Sequence, residues 1–202
     1  MTDLFGYEIV EKKVSPQIYT CIGASNHAND GRQTEDFYAT EPRAVYDLLE
    51  NETFSDTILE PCVGMGHIAH VLAEEGHKVI AQDVVDRGYE NTTIRDFLVQ
   101  TENNNDIVTN PPYVLAKEFV EHALKISPIG TKIAMFLKLT FLESQSRKEL
   151  FETEPFKTLY VFSARRSCAK NGDFDKFPSS AVAYGWYVWE KGFKGNPIIK
   201  WI

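Results

Sequence analysis

The chain has 202 residues, of which 43% are hydrophobic and 25% charged, with a formal net charge of −8. This length and apolar content suit one compact domain with a substantial core. The acidic balance argues against a general polyanion binder, because such binding depends on lysine and arginine displacing counterions from phosphates.

Residues 1–36 are polar and turn-rich, and we expect them to be irregular. Beyond them, no repeat, low-complexity tract or linker-like change of composition divides the sequence. The sequence therefore predicts a single domain over residues 37–202. Its first helix is expected at about residues 42–50, where Pro42 precedes apolar residues at helical spacing.

Strands and helices alternate along the rest of the chain. Short apolar runs predict strands within residues 56–62, 78–84 and 106–109, and helical periodicity predicts helices within 67–76 and 114–126. Later strands are predicted within 131–142, 156–163 and 181–191, with a short helix at 146–152. This alternation predicts an α/β fold with a mostly parallel sheet. The last two strands lack a long helix between them, which favours an antiparallel edge strand.

Two glycines, Gly64 and Gly66, lie between a predicted strand and a predicted helix. Glycines at such a turn let the backbone approach a ligand closely, which is typical of nucleotide-like cofactor sites. With Ala69 they match the pattern G-x-G-x-x-G/A, which does not separate nicotinamide dinucleotides from other adenosine-containing cofactors. Asp83 ends the next strand, where a carboxylate can accept both hydroxyl protons of a ribose.

The sequence Asn110-Pro111-Pro112-Tyr113 directly follows the strand predicted at residues 106–109. The carboxyl end of a parallel strand faces the crevice where open α/β sheets bind ligands. The two prolines stiffen the turn and fix the Asn110 side chain and the Pro111 carbonyl. Two such acceptors suit an amine conjugated to a planar system, because they hold its hydrogens and orient its weak lone pair. Tyr113 can stack on the planar substrate.

These motifs, in this order, resemble the S-adenosylmethionine-dependent amino-methyltransferases, above all the adenine-specific DNA methyltransferases. The resemblance is close over residues 37–115. It implies a Rossmann-like class I methyltransferase fold, with a mostly parallel seven-stranded sheet and an antiparallel edge strand. It also implies S-adenosyl-L-methionine as cofactor and direct methyl transfer to an exocyclic amine, N6 of adenine in DNA being the expected target.

The resemblance also implies a role for each matching residue. Glu60, Gly64 and Gly66 would surround the amino-acid part of the cofactor, and Asp83 the ribose. Asp96 and Phe97 would hold the adenine, while Tyr38 and Thr40 would lie on the carboxylate side. Tyr38, Ala39, Thr40 and Pro42 resemble the family's Y-x-T-P segment with one residue inserted. Asn110, Pro111, Pro112 and Tyr113 would form the catalytic turn that holds the target amine.

A basic cluster of Arg165, Arg166 and Lys170 interrupts the acidic sequence and is expected to contact nucleic acid, DNA before RNA. A solvated surface turn is the alternative. The chain has no insert large enough for a target-recognition domain. Sequence specificity is therefore expected to be slight or to come from a separate recognition subunit, and a phage or mobile-element origin fits this size.

Three other functions stay open at this stage. The same turn occurs in methyltransferases that modify RNA bases or the side-chain amide of protein glutamine. A binding module that keeps the fold without catalysis would explain the acidic charge, although the intact turn and Asp83 argue against it. A nicotinamide-dependent dehydrogenase would share the glycine loop but leaves Asn110 to Tyr113 unexplained.

Metal, disulfide and membrane functions have little support in the sequence. His67 and His70 are three residues apart, but no carboxylate or cysteine at ligand spacing completes a metal site. The three cysteines form no CxxC pair, as expected of a reduced, cytoplasmic protein. No run approaches the ~18 apolar residues of a membrane-spanning helix. We read the aromatic run from Tyr184 to Trp189 as sheet packing.

Overall fold

The computed structural model describes residues 38–170, 172, 174 and 182–202, so the segment expected to be irregular, 1–36, lies outside the described residues. The helices of the described part are α1 (Pro42–Leu49), α2 (His67–Glu74), α3 (Ala116–Ile126) and α4 (Lys148–Glu152). Its strands are β1 (Tyr38–Thr40), β2 (Thr57–Glu60), β3 (Lys78–Asp83), β4 (Thr93–Ile94), β5 (Asp106–Thr109), β6 (Lys132–Lys138), β7 (Phe156–Val161), β8 (Cys168–Lys170), β9 (Tyr184–Glu190) and β10 (Ile198–Trp201). No described helix has the length and apolar character needed to cross a bilayer.

Eight of these strands form one sheet in the order β10-β7-β9-β6-β5-β2-β3-β4. All neighbours are parallel except β9, which is antiparallel to both β6 and β7. The predicted α/β fold with a mostly parallel sheet is therefore confirmed. Two details differ from the prediction, because β10 adds an eighth strand and the antiparallel strand lies inside the sheet rather than at its edge.

The interior position of β9 has a physical reason in its sequence. Tyr187 and Trp189 pack into the core on the α3 and α4 face, whereas Trp186 and Val188 pack into the core on the α1 and α2 face. A strand that buries both faces needs an unbroken apolar run, which residues 184–189 provide. Gly185 is required in this strand, since a Cβ there would lie 2.6 Å from the Tyr160 carbonyl oxygen.

Strands β1 and β8 form a separate two-stranded antiparallel sheet, which we call the β1–β8 ribbon. It pairs Tyr38 with Lys170, Ala39 with Ala169 and Thr40 with Cys168. The Glu41 carboxylate continues the connection by accepting from the backbone N–H of Ser167 at 2.9 Å. The ribbon therefore ties the start of the domain to a segment about 130 residues later.

Four strands of the large sheet end in polar residues at the same edge. Glu60 ends β2, Asp83 ends β3, Thr109 ends β5 just before Asn110, and Lys138 ends β6. These strands run parallel to one another, so their carboxyl ends meet at one edge of the sheet. This edge is where open α/β sheets bind ligands, and it holds the candidate site.

Candidate active site

A cavity of about 190 Å³ opens at the carboxyl edge of the sheet. Eight of the residues that the sequence singled out line it: Tyr38, Thr40, Glu60, Asp83, Asp96, Phe97, Asn110 and Pro112. They come from the β1–β8 ribbon and from the ends of four strands or the turns that follow them. The fold therefore brings together side chains that are separated by up to 74 positions in the sequence.

Glu60 places a buried carboxyl group against this cavity. Its residue is 1% exposed, and its Oε2 bonds to no partner among the described residues. Burial, together with the neighbouring Asp83 charge, raises the pKa of the Glu60 carboxyl well above its ordinary value. A buried acceptor without a partner is costly, and a cationic or N–H donating ligand would satisfy it.

Asp83 organises the glycine loop. Its Oδ2 accepts from the backbone N–H of Gly64 at 2.9 Å, and its Oδ1 accepts from the backbone N–H of Val85 at 3.1 Å. Each carboxylate oxygen has a second lone pair, so Asp83 keeps the capacity to accept from ligand hydroxyl groups. The bond to Gly64 fixes the loop relative to the strand that Asp83 ends.

The glycines themselves act behind the cavity. Neither Gly64 nor Gly66 is among the described residues that line it. Gly66 begins helix α2 in a left-handed conformation, with φ of 86°, and the Tyr89 ring lies 2.0 Å from where its Cβ would be. Glycine is required at this position because Tyr89 closes over the loop.

Asp96 and Phe97 form the wall beyond β4. The Asp96 Oδ1 accepts from the backbone N–H of Leu98 at 2.8 Å, which caps the short 3₁₀ turn Phe97–Val99. Phe97 is 1% exposed and stacks on Phe119, with ring centroids 5.2 Å apart. Phe97 therefore belongs to the core and also forms part of the cavity wall.

Asn110 is held by the β1–β8 ribbon. Its Nδ2 donates to the Tyr38 carbonyl at 2.8 Å and to the Thr40 Oγ1 at 3.0 Å, and lies 3.7 Å from the Cys168 Sγ. A main-chain carbonyl only accepts, so the Tyr38 contact fixes which end of the amide carries the nitrogen. The Asn110 Oδ1 has no donor among the described residues, and it is left to accept from a ligand in the cavity.

The rest of the turn is fixed in the same region. Pro111 is buried, and the Pro112 carbonyl accepts from the backbone N–H of Leu115 at 2.9 Å. The Tyr113 hydroxyl lies 3.2 Å from the Cys168 Sγ, and burial raises the pKa of the Tyr113 phenol. The Tyr113 ring does not line the large cavity. Its ring centroid is 6.2 Å from that of Tyr38, in a stacked arrangement.

Cys168 was not singled out by the sequence. Its thiol lies within contact distance of both Asn110 and Tyr113, and burial raises its pKa to about 12. The thiol therefore stays protonated and acts as a weak polar contact for the catalytic turn rather than as a nucleophile. No local pattern marks this role, because the contacts depend on the pairing of β8 with β1.

The predicted basic cluster is divided in the structure. The Arg166 Nε donates to the Asp47 Oδ2 at 2.6 Å, and Arg166 is half-buried. Asp47 also pairs with the Arg43 Nε at 2.8 Å. Arg165 is exposed, and the side chain of Lys170 lies outside the described part of the chain. Arg166 is thus part of a structural ion pair, whereas Arg165 lies at the surface.

The two histidines of α2 do not form part of a metal cluster. In the described residues, no group of three or more His, Cys, Asp or Glu side chains is placed to bind a metal ion. Burial lowers the pKa of His67, and the His70 ring packs edge-on against Tyr89.

Comparison with known proteins identifies the fold. The sequence matches no protein-family model and no curated protein. A protein from Listeria monocytogenes assigned to the class I S-adenosylmethionine-dependent methyltransferases is 10% identical with a TM-score of 0.57, covering 92% of this chain and 71% of its own. A predicted O-methyltransferase from Agrobacterium tumefaciens is 11% identical with a TM-score of 0.54, covering 80% and 85%.

A third structure belongs to a protein from Vibrio vulnificus assigned as the modification subunit of a type I restriction enzyme. It is 14% identical with a TM-score of 0.56, and the match covers 92% of this chain but 51% of the subunit. The chain has the class I methyltransferase fold. At these identities the likeness concerns the fold, and the chemistry has to be argued from the site.

Proposed function

We propose that this chain is an S-adenosylmethionine-dependent methyltransferase that methylates an exocyclic amine, N6 of adenine in nucleic acid, with DNA as the preferred substrate. The observation that carries the proposal is the orientation of Asn110. Its nitrogen is bonded to the Tyr38 carbonyl, and its oxygen is left as an acceptor beside the large cavity. The structural neighbours from L. monocytogenes and V. vulnificus support the same reaction class.

The residues around the large cavity suit S-adenosylmethionine. Glu60 offers a buried, unpartnered carboxyl oxygen, which fits the α-ammonium group of the cofactor. Asp83 offers carboxylate lone pairs for ribose hydroxyls, and Phe97 offers an apolar wall for the adenine ring. Bound in this cavity, the cofactor would supply an electrophilic sulfonium methyl group.

Asn110 would act on the target amine. The nitrogen of adenine N6 is a weak nucleophile, because its lone pair is delocalised into the ring. The Asn110 Oδ1 would accept one N–H, as would the adjoining Pro111 carbonyl, and this contact favours a tetrahedral nitrogen with its lone pair directed at the methyl group. No side chain is assigned as general base, since the proton can leave after the methyl group has been transferred.

Holding Asn110 in advance is an advantage for this chemistry. An acceptor that is already oriented does not have to be reorganised when charge develops on the nitrogen. The contacts from Tyr38, Thr40 and Cys168 provide that orientation. A binding module without catalysis would have no need for an amide fixed by three neighbours, which favours an enzyme.

The cofactor and substrate class can be tested together. We expect isothermal calorimetry to detect binding of S-adenosylmethionine and not of NAD. Incubation with cofactor labelled in the methyl group and separate pools of DNA, RNA and protein should place the label in DNA, as N6-methyladenine after nuclease digestion. Label found in glutamine of the protein pool, or in no pool, would overturn the proposed target.

Asn110→Ala tests the catalytic role. It should lower kcat by about 10² or more, while the cofactor Kd changes little, because the lost contact acts on the substrate nitrogen. Asn104→Ala is the matched control, since Asn104 is exposed and lies before β5, away from the carboxyl edge. Equal activity of Asn110→Ala and the wild type would contradict the assigned role.

A further inference from the structure

A second cavity, of about 130 Å³, adjoins the catalytic turn. Tyr113 lines it, whereas Asn110 and Pro112 of the same turn line the large cavity. The two cavities share no lining residue among those that the structure describes. The turn thus contributes to two separate spaces, one of which suits the cofactor.

The second cavity has a positive lining in a negative chain. Lys138 and Arg147 line it together with Thr140, and its other lining residues are apolar or aromatic. None of its described lining residues is acidic, although the whole chain carries a net charge of −8. Two cations without an acid beside the candidate catalytic turn create a local positive potential.

Lys138 lacks the partner that a half-buried cation ordinarily has. Its ammonium lies 4.8 Å from the centroid of the Tyr113 ring, and it pairs with no carboxylate among the described residues. Lys138 ends strand β6, next to the strand that leads into Asn110. A cation in this position loses hydration without an opposite charge in return, and an anionic ligand would restore the balance.

Arg147 is held rigidly at the same cavity. Its Nε donates to the Phe141 carbonyl at 2.7 Å, and its Nη2 donates to the carbonyls of Thr140 and Glu143. These bonds hold the loop that follows β6 in place. The Nη1 of Arg147 bonds to none of the described residues, so the guanidinium keeps donors for a ligand while its position is fixed.

We propose that the second cavity binds a phosphodiester group of the nucleic-acid substrate, next to the nucleotide whose base reaches Asn110. Lys138 is the main ligand, and Arg147 supplies a second, fixed charge. The inference rests on the proposed function and narrows it, because a phosphate site selects nucleic acid over the side-chain amide of a protein. DNA and RNA share this chemistry, and parallel arms of the experiment separate them.

The first measurement is the salt dependence of binding. Fluorescence anisotropy of labelled single-stranded DNA and RNA oligonucleotides, with S-adenosylhomocysteine present, gives Kd at several sodium chloride concentrations. Lys138→Gln should reduce the slope of log K against log salt by ~0.7, the value for one lost phosphate contact to a single strand. Lys78→Gln is the matched control, because Lys78 is exposed at the opposite end of β3.

The second measurement is the kinetics of methyl transfer. Lys138→Gln should raise KM for the oligonucleotide about tenfold at low salt with little change in kcat, and Lys138→Arg should restore it. Lys138 is varied rather than Arg147 because Arg147 also supports the loop. An Arg147→Lys variant that still melts like the wild type should give a smaller rise in KM.

The outcomes separate this inference from the proposed function. An unchanged salt slope in Lys138→Gln, or a wild type that binds neither oligonucleotide, would overturn the phosphate site. If the wild type transfers methyl groups to nucleic acid and Lys138→Gln matches it at every salt concentration, only the phosphate site fails. If no pool is methylated but the slope still falls by the expected amount, the phosphate site stands and the proposed reaction fails.

Discussion

The Nδ2 of Asn110 donates a 2.8 Å hydrogen bond to the main-chain carbonyl of Tyr38, a residue 72 positions earlier in the sequence. This contact joins the turn after β5 to the first strand of the domain. Because a carbonyl cannot donate, it also decides the orientation of the Asn110 amide. The β1–β8 ribbon is therefore the part of the fold that makes this asparagine suitable for catalysis.

Thr40 supports Asn110 through one hydrogen bond, so its hydroxyl should affect kcat more than cofactor binding. Thr40→Val keeps the shape of the buried side chain but removes the Oγ1 that accepts from Asn110 at 3.0 Å. A lost bond of about 1 kcal/mol should reduce kcat about fivefold. Thr40→Ser, which keeps the hydroxyl, is the control. A change confined to the cofactor Kd would instead place Thr40 on the cofactor.

Cys168 should resist alkylation in the folded protein. Burial raises its pKa from an ordinary 9.0 to about 12, which leaves very little thiolate at pH 8. We expect iodoacetamide to label Cys168 about a thousandfold more slowly in the native protein than in denaturant, as measured by peptide mass spectrometry. Equal rates in the two conditions would show that the thiol is not held between Asn110 and Tyr113.

Glu60 should make the ligand-free protein less stable as the pH rises. Burial and the neighbouring Asp83 raise its pKa well above the ordinary 4.5, so the folded state keeps a proton that the unfolded state has lost. The free energy of unfolding then falls by up to about 1.4 kcal/mol per pH unit between 4.5 and the raised pKa. Glu60→Gln should lack this decline in urea titrations at a series of pH values.

The same carboxyl group should release a proton when the cofactor binds. The positively charged α-ammonium favours ionised Glu60, which opposes the effect of burial. Calorimetry of S-adenosylmethionine binding in buffers of different ionisation enthalpy should therefore reveal proton release below the raised pKa. Glu60→Gln should abolish the release and weaken binding. Buffer-independent binding enthalpies in the wild type would contradict the placement of the ammonium against Glu60.

Local patterns in the sequence were enough for most of the large sheet. The strand ending at Asp83 and the helix at Ala116–Ile126 follow from period and composition, and the glycines mark the turn before α2. The position of β9 could not be read in this way. Its aromatic run shows that it is buried on both faces, but the identity of its two neighbours is decided by packing across the whole sheet.

The candidate site was predictable where motifs are contiguous, and less so where strands pair over long distances. Asn110 was identified from its own turn, whereas its contact with Cys168 requires a three-residue strand to pair with another about 130 residues away. Such short strands leave little periodicity to detect. Phe97 illustrates a second difficulty, because the sequence does not distinguish a cavity wall from a core residue and here the ring serves as both.

Arg165 and Arg166 were expected to act together on nucleic acid, and the structure predicts different results for them. Arg166→Ala breaks the ion pair with Asp47, whose side chain is only 6% exposed. Because Arg43 still pairs with Asp47, the loss of stability should be about 1–3 kcal/mol rather than the full cost of an unpaired buried charge. Arg165→Ala changes an exposed residue and should alter stability by less than about 0.5 kcal/mol.

Thermal unfolding and oligonucleotide binding separate the two arginines. Arg166→Ala should lower Tm by roughly 3–10 °C, the shift expected for that free energy in a chain of this size. Arg165→Ala should leave Tm unchanged and weaken oligonucleotide binding, with a smaller salt slope if the surface next to β8 contacts the substrate. If Arg166→Ala melts like the wild type but binds oligonucleotides more weakly, its contact with Asp47 is not structural and both arginines belong to the nucleic-acid surface.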